Sequence, residues 1–174
     1  MNPMRHLSVL AAAALFAGAG ATACAGDVSM AGGSVHFSTP ANWVGIMQMQ
    51  GDPEVQVFQV PDPSPTGSTS LARVTVTVKQ EPDLAGFNAY RSAADAKAHQ
   101  LAGYSPLPPP GDDPGGSAYG ASENGAPFHY VEYYWFKDGH AIQLRCVRPV
   151  QSLAGASWIA AFDRGCDAIA TQLQ

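Results

Sequence analysis

The residues best suited to metal chemistry are His129, Glu132 and His140, because imidazole and carboxylate groups are common zinc ligands. Side chains alternate between the two faces of a β-strand, so positions 129 and 132 of an extended segment point in opposite directions. His140 lies farther along the chain, at a predicted turn. The three groups therefore do not converge, and we expect no metal site and no bound cofactor. His36 and His99 are isolated in the sequence and are interpreted as solvated side chains.

Serine and carboxylate chemistry is also disfavoured by the spacing of the residues. Residues 120–125 lack the second glycine of a Gly-x-Ser-x-Gly turn and precede a predicted strand rather than a helix. Asp112 and Asp113 form a carboxylate pair, but they lie in a segment rich in proline and glycine, which is a poor platform for preorganised chemistry. We therefore expect no catalytic residue and no enzyme activity, and a hydrolase is the less favoured alternative.

Three cysteines are present. Cys146 falls on the apolar face of a predicted strand, and Cys166 falls on the apolar stripe of the last predicted helix. If that helix packs on that strand face, the two sulfurs meet, and a disulfide closing this loop would contribute about 3 kcal/mol. Two buried free thiols are the alternative. Cys24 is then left over, and an odd thiol in an oxidising compartment calls for modification or removal.

The N-terminus has the pattern of a signal peptide. Arg5 gives a short positive region, and residues 7–23 are uncharged and rich in alanine, leucine and glycine. This stretch falls short of the ~20 residues that a bilayer-spanning helix needs. We therefore predict a signal peptide over residues 1–23 and export from the cytoplasm.

Two cleavage positions compete at the end of this segment. Cleavage before Cys24 would follow Ala-Thr-Ala at residues 21–23, which resembles a bacterial lipobox with alanine where leucine is usual. Cleavage after Ala25 would instead remove the cysteine. The spare cysteine favours the first position, so we expect lipidation at Cys24 and a periplasmic protein anchored at a membrane, the outer membrane being the expected one. Residues 24–33 are predicted to be a tether, and residues 34–174 a single domain.

Composition limits the classes of partner. Among 174 residues, 46% are hydrophobic and 13% are charged, which favours a packed core over disorder. The formal net charge is −5, and the sequence contains no run of basic residues. Nucleic acids and anionic lipid surfaces are bound through Lys and Arg, so we expect neither as a partner of the folded domain.

Hydrophobic periodicity divides the predicted domain into strands and helices. Extended segments are predicted at 35–37, 42–50, 54–60, 73–79, 117–122 and 127–136, and loops at 61–70 and 105–116. Asp83 is a suitable N-cap for an amphipathic helix over residues 84–102, and Gly103 lies just beyond the end of that helix.

Asp138 and Gly139 predict a two-residue hairpin turn, which fixes the strand register. The register pairs 137 with 140, 135 with 142, 133 with 144 and 131 with 146. It places Glu132 opposite Arg145, a charge pair worth about 0.2–1 kcal/mol. Both faces of this hairpin carry large apolar residues, so one helix should cover each face. The sequence therefore predicts an α+β fold, an α/β/α sandwich with a mainly antiparallel sheet and helices on both faces.

Two segments carry a resemblance to a known group. The sequence FSTPANW at residues 37–43 resembles the opening of PsbP-like domains, and AIQLRC at residues 141–146 resembles their penultimate strand. The order of elements over residues 34–173 is also similar. This group has the Ran-binding Mog-type/PsbP fold and includes photosystem II extrinsic subunits, a Ran-binding protein and bacterial envelope lipoproteins. The resemblance implies a binding or assembly role without chemistry, and it transfers no functional residue.

These features predict a non-enzymatic protein-binding module of the bacterial envelope, whose partner is another envelope or secreted protein. Its acidic surface suits an immunity or inhibitor protein that blocks a cationic site. The alternative is a small-molecule or lipid carrier with a pocket between sheet and helix. Trp43, Met47 and Met49 are candidates for a contact surface, but we expect them to fill the core. The two predicted loops are where a binding surface is most easily built.

Overall fold

The computed structural model describes residues 26–109 and 115–174. The predicted signal peptide, Cys24, Asp112 and Asp113 lie outside these residues. The strands are β1 Gly26–Met30, β2 Val35–Thr39, β3 Val44–Met49, β4 Glu54–Gln59, β5 Arg73–Gln80, β6 Ser105–Leu107, β7 Ser117–Glu123, β8 Ala126–Lys137 and β9 His140–Pro149. The helices are α1 Thr66–Thr69, α2 Leu84–Ala98 and α3 Ala156–Leu173.

A seven-stranded sheet forms the middle layer, in the order β3-β4-β5-β9-β8-β7-β6, and each pair of neighbours is antiparallel. The alternating sequence of β5 suits the central position, because Val74, Val76 and Val78 are all buried on one face. β1 and β2 form a separate antiparallel hairpin.

The long hairpin of β8 and β9 has the predicted register. Asp138 and Gly139 both take positive φ angles, 49° and 73°, as a type I′ turn requires. Val131 lies opposite Cys146, and Glu132 lies opposite Arg145. The turn residues therefore determine which side chains of the hairpin face each layer.

Helices lie on both faces of the sheet. α3 and the β1–β2 hairpin pack on one face, and α2 packs over β8 and β9 on the other. The predicted α/β/α sandwich is confirmed. α2 begins as predicted, because the Asp83 carboxylate accepts a hydrogen bond of 2.9 Å from the amide of Gly86.

α3 is held against the sheet by its apolar stripe and by a disulfide. Phe162, Ile169 and Leu173 are buried in the main core. The Sγ atoms of Cys146 and Cys166 lie 1.95 Å apart, at disulfide distance, and both cysteines are buried. The two residues thus meet at the seam where the strand face and the helix stripe were predicted to pack.

The predicted tether differs from the structure over its described part. Residues 26–33 form β1 and a short 3-10 turn instead of an extended linker. Met30 is buried in the main core, and the amide of Ala31 donates a 2.7 Å hydrogen bond to Glu54 Oε2. The single apolar residues of this segment gave too short a pattern to indicate a strand.

Three further boundaries differ. α2 ends at Ala98 rather than 102, because the amide of Leu101 bonds back to the Ala98 carbonyl in a tighter turn. The predicted loop 61–70 contains the short helix α1, and the predicted loop 105–116 begins with β6, which pairs with β7.

Candidate functional site

The three candidate metal ligands lie apart in the fold. Glu132 lies under α2, whereas His129 shares its face of the sheet with Val131 and α3. His140 begins β9, opposite Lys137 at the end of the hairpin. Within residues 26–109 and 115–174, no group of three or more His, Cys, Asp or Glu is arranged to hold a metal ion. Burial, with a smaller effect of Arg148, lowers the pKa of His129.

Ser122, the serine weighed as a nucleophile, lies near the end of β7. Its amide donates a 2.7 Å hydrogen bond to the carbonyl of Ala102, and its strand partner is Pro127. Asn124 and Gly125 then take positive φ angles in the turn that leads into β8. The segment is therefore a strand end and a hairpin turn.

Trp43 contributes to the core as expected. Its indole is partly buried against the main core and stacks on Phe162, with ring centroids 6.2 Å apart. It also touches α3 closely at Gly165, where a Cβ would lie only 2.6 Å from Trp43 Cζ2. Trp43 therefore fastens the segment before β3 to α3.

The expectation that Met47 and Met49 fill the core is wrong. Their exposed fractions are 52% and 44%. Met49 lies opposite Val55 of β4, and the same row continues through β5 to Gln143 of β9, which accepts a hydrogen bond from Tyr90 of α2. The two methionines therefore lie on the α2 side of the sheet, but α2 packs over β8 and β9 and leaves them uncovered.

β3 is an exposed edge strand whose shielding is limited to a local irregularity of the backbone. Every one of its six residues is exposed, and Val44 and Ile46 are exposed by 51% and 44%. We call Val44, Ile46, Met47 and Met49 the edge surface. Isolated edge strands are normally shielded by charge, proline or a covering element. β3 contains neither a charged residue nor proline, and its irregularity is a register shift between Gly45 and Met47.

The chain around the edge surface is acidic. Residues 26–72 contain no Lys or Arg and four carboxylates, those of Asp27, Asp52, Glu54 and Asp62. All Lys and Arg of the described residues lie at position 73 or later. The apolar strand therefore belongs to a stretch of sequence whose Asp and Glu have no Lys or Arg among them, although Lys79 of β5 lies close enough to Asp52 to interact with it. An excess of carboxylates favours basic partners.

A buried polar network lies on the same side of the sheet, beneath α2. We call it the Glu132 cluster, and it consists of Tyr119, Glu132, Tyr134, Gln143 and Arg145. The Glu132 side chain is 2% exposed. Its Oε1 accepts hydrogen bonds of 2.6 Å from the Tyr119 hydroxyl and 2.7 Å from Arg145 Nε. Its Oε2 accepts from the Tyr134 hydroxyl and, at 3.1 Å, from Gln143 Nε2.

The electrostatics of this cluster favour protonated phenols and a charged guanidinium. Burial and the Glu132 charge raise the pKa of both Tyr119 and Tyr134, so the phenols stay protonated and donate. Burial lowers the pKa of Arg145, but Glu132 raises it more, and the guanidinium remains charged. Burial also raises the pKa of Tyr90 to about 12.

A cavity of about 290 Å³ adjoins the cluster, between α2 and strands β7 and β8. Its floor includes Glu132, Tyr119 and Ser117, and its α2 wall includes Arg91 and Asp95. The sequence predicted the Glu132–Arg145 pair and, for the alternative function, a pocket between sheet and helix, but it did not predict which residues line the cavity. The nearest signal was the alternation of β8, which places Glu132 and Tyr134 on one face.

No helix in the described part of the chain is both long and apolar enough to cross a membrane.

Comparison with known proteins identifies the fold. No family model matches the sequence, and no characterised protein matches it by sequence. The crystal structure of the Ran-binding protein Mog1p from Saccharomyces cerevisiae matches with a TM-score of 0.51 and 10% sequence identity, over 87% of this chain and 93% of that one. At this identity the likeness concerns the fold alone. It confirms the Mog1/PsbP fold that the resemblance at residues 37–43 and 141–146 implied.

Proposed function

We propose that this protein is a non-enzymatic binding module of the bacterial cell envelope, and that an extended segment of another exported protein adds to β3 as an eighth strand. The observation that carries this proposal is the edge surface, an uncharged strand with four exposed apolar side chains at the open margin of a seven-stranded sheet. The unpaired amides and carbonyls of such an edge bind an incoming strand, and its side chains select it.

Charge complementarity favours a basic partner. The described chain before position 73 has four carboxylates and no Lys or Arg, so two copies of this protein brought together at β3 would place like charges near each other. An anionic membrane surface would be repelled in the same way. A strand with apolar side chains and flanking Lys or Arg satisfies both the edge surface and its surroundings.

Mog1p is described as a Ran-binding protein, and a binding role on the same fold is consistent with the proposal. An exported basic toxin is the partner that an immunity or inhibitor protein would meet. Co-expression with a toxin encoded by a neighbouring gene tests this form of the function, and rescue of growth that Met47→Lys abolishes is the expected result.

The proposed location of the protein rests on the N-terminal sequence. We propose cleavage before Cys24 and lipidation of that cysteine, on the basis of Arg5, the uncharged residues 7–23 that follow it, and the pairing of the other two cysteines. Mass spectrometry of the mature N-terminus should find a lipid-modified Cys24. A free Gly26 amine would contradict the anchor and leave the binding role to be judged by its own experiment.

The binding role is tested with tagged mature protein as bait in an envelope extract. Met47→Lys places a positive charge in the centre of the edge surface and should lower capture of the partner by about tenfold or more. Leu153→Lys is the matched control, because Leu153 is 78% exposed and lies outside β3. Capture should also weaken as salt is raised.

Hydrogen exchange of the complex supplies the second readout. Partner binding should slow exchange of amides in β3, since those groups gain hydrogen bonds in an added strand. Equal capture by Met47→Lys and Leu153→Lys, protection elsewhere on the surface, or no captured protein in repeated trials would each count against the proposal.

A further inference from the structure

The cavity beneath α2 has the size and position of a small-molecule site. Its volume of about 290 Å³ is at the lower end of the range for ligand pockets, so it suits a small ligand rather than a lipid chain. It is lined by side chains from three separate elements, α2, β7 and β8. Rigid elements on two sides therefore fix the groups that a ligand would meet.

One wall of the cavity carries a cation that has no anionic partner among residues 26–109 and 115–174. The Arg91 guanidinium lies over the ring of Tyr134, 5.8 Å from its centroid, and makes no hydrogen bond or ion pair with any described residue. This stacking holds the planar group while leaving its N–H donors available. A guanidinium presented in this way binds a carboxylate through two parallel hydrogen bonds.

The opposite sign of charge lies one helical turn away. Asp95 also lines the cavity, and its carboxylate lies 3.5 Å from the Nδ1 atom of His99 rather than against Arg91. Residues four apart on a helix have Cβ atoms about 5–6 Å apart. The helix wall therefore presents a cation and an anion side by side that do not neutralise each other through a direct contact.

The floor of the cavity offers a ligand the hydroxyl oxygen of Tyr119 as an acceptor. The Tyr119 hydroxyl donates its hydrogen bond to Glu132, so its oxygen can only accept a hydrogen bond from a ligand. Glu132 itself is fully hydrogen-bonded, and burying such a charged network contributes little to stability compared with apolar packing. A polar floor next to an open cavity is better explained by recognition of a polar ligand.

From this arrangement we propose that the cavity binds a small zwitterion of the amino-acid class, with its carboxylate on Arg91 and its ammonium directed to Asp95 and the hydroxyl oxygen of Tyr119. A simple anion would meet Asp95, and a simple cation would meet Arg91, so each satisfies half of the site. An α-amino acid carries both charged groups on the same carbon atom, and it is small enough for the volume of the cavity. The site is separate from the edge surface and does not depend on the proposed partner.

The test is isothermal titration calorimetry of the mature protein with individual proteinogenic amino acids at millimolar concentrations. Acetate, ethylammonium and glycerol serve as comparison ligands. At least one amino acid should bind with a Kd of about 1 mM or tighter, and the three comparison ligands should bind about tenfold more weakly or not at all. Arg91→Gln and Asp95→Asn should each weaken binding of that amino acid about tenfold. Arg164→Gln, at an exposed position on α3, is the matched control and should leave the Kd unchanged.

Thermal melting of each variant distinguishes a loss of binding from a loss of folding. Arg91→Gln and Asp95→Asn test the two charges of the site independently. The proposal is overturned if no amino acid binds at millimolar concentration. It is equally overturned if glycerol or acetate binds as tightly as the best amino acid, or if Arg91→Gln and Asp95→Asn bind like Arg164→Gln.

Discussion

Replacing Gly165 with alanine tests how closely α3 approaches the segment before β3. A Cβ at this buried helical position would lie 2.6 Å from Trp43 Cζ2 and 3.2 Å from Pro40 Cγ. Alanine is favoured over glycine inside a helix by about 1 kcal/mol. Overpacking a filled site costs about 1–3 kcal/mol. The indole cannot swing away easily, because it is stacked on Phe162. We therefore expect Gly165→Ala to destabilise the protein by about 1 kcal/mol, taking the middle of both ranges.

The sign of the effect should reverse when the indole is removed. In a Trp43→Ala background the 2.6 Å contact is gone, and Pro40 Cγ, at 3.2 Å, can shift by a few tenths of an ångström into the space that the indole leaves. Gly165→Ala should then stabilise the protein by about 1 kcal/mol through helix propensity. Urea denaturation of the four proteins measures the coupling, which should be about 2 kcal/mol. For a chain of this length, each kcal/mol corresponds to about 2–4 °C in Tm. If Gly165→Ala stabilises both backgrounds equally, the close contact between Trp43 and α3 does not exist.

Three further perturbations follow from contacts described above. Replacing both Cys146 and Cys166 with alanine should lower the free energy of unfolding by about 3 kcal/mol, measured by urea denaturation, because the cross-link restricts the unfolded chain. Asp83→Ala removes the α2 N-cap and should cost about 1 kcal/mol in the same assay. Burial alone would raise the pKa of Glu123. The hydrogen bonds from Arg73 and Tyr130 have the larger, opposite effect, so the pKa lies below its ordinary value of 4.5. Its contribution to stability is therefore present above pH 4.5 and lost as the pH falls through the lowered pKa, and Glu123→Gln should flatten that part of the curve of stability against pH.

Each of these expectations has a contradicting result. Equal stability of the oxidised wild type and the variant without both cysteines would mean that the sulfurs add nothing to the packing of α3. Asp95→Ala is the control in the same helix. An unchanged urea midpoint for Asp83→Ala would mean that the N-cap does not contribute to the stability of the protein. Identical acid sensitivity of wild type and Glu123→Gln would show that the Arg73–Glu123 pair does not couple folding to protons.

The central sheet and its layers could be predicted because their sequence patterns are local. The alternation of Val74, Val76 and Val78 indicated a buried strand, and Asp138-Gly139 fixed the hairpin register to the residue. The same register placed a cysteine on the face that α3 covers. An apolar residue at every second position, or at every third or fourth, is enough to predict a strand or a helix when the element is long and one face is buried.

The edge surface and the lining of the cavity could not be predicted, because both depend on where α2 stops covering the sheet. The sequence of β3 looks like a core strand, and nothing local shows that Met47 and Met49 lie beyond the reach of a helix. Arg91 and Asp95 likewise look like an ordinary pair on a solvated helix face. β1 was missed for a related reason, since a five-residue strand is recognised by the hairpin partner it finds and not by its own pattern.

The pairing of β5 with β9 has a consequence for how the chain is made. Within the described residues it is the ladder that joins an early meander, β3 to β5, to a later one, β6 to β9. Until β9 has been synthesised, the valine row of β5 has no neighbour on one side and no α3 above it. A strand of alternating valine and threonine in that state is prone to pair with other chains. The protein therefore completes its fold late and through distant contacts, so we expect slow folding and a need for chaperone protection of the nascent first half.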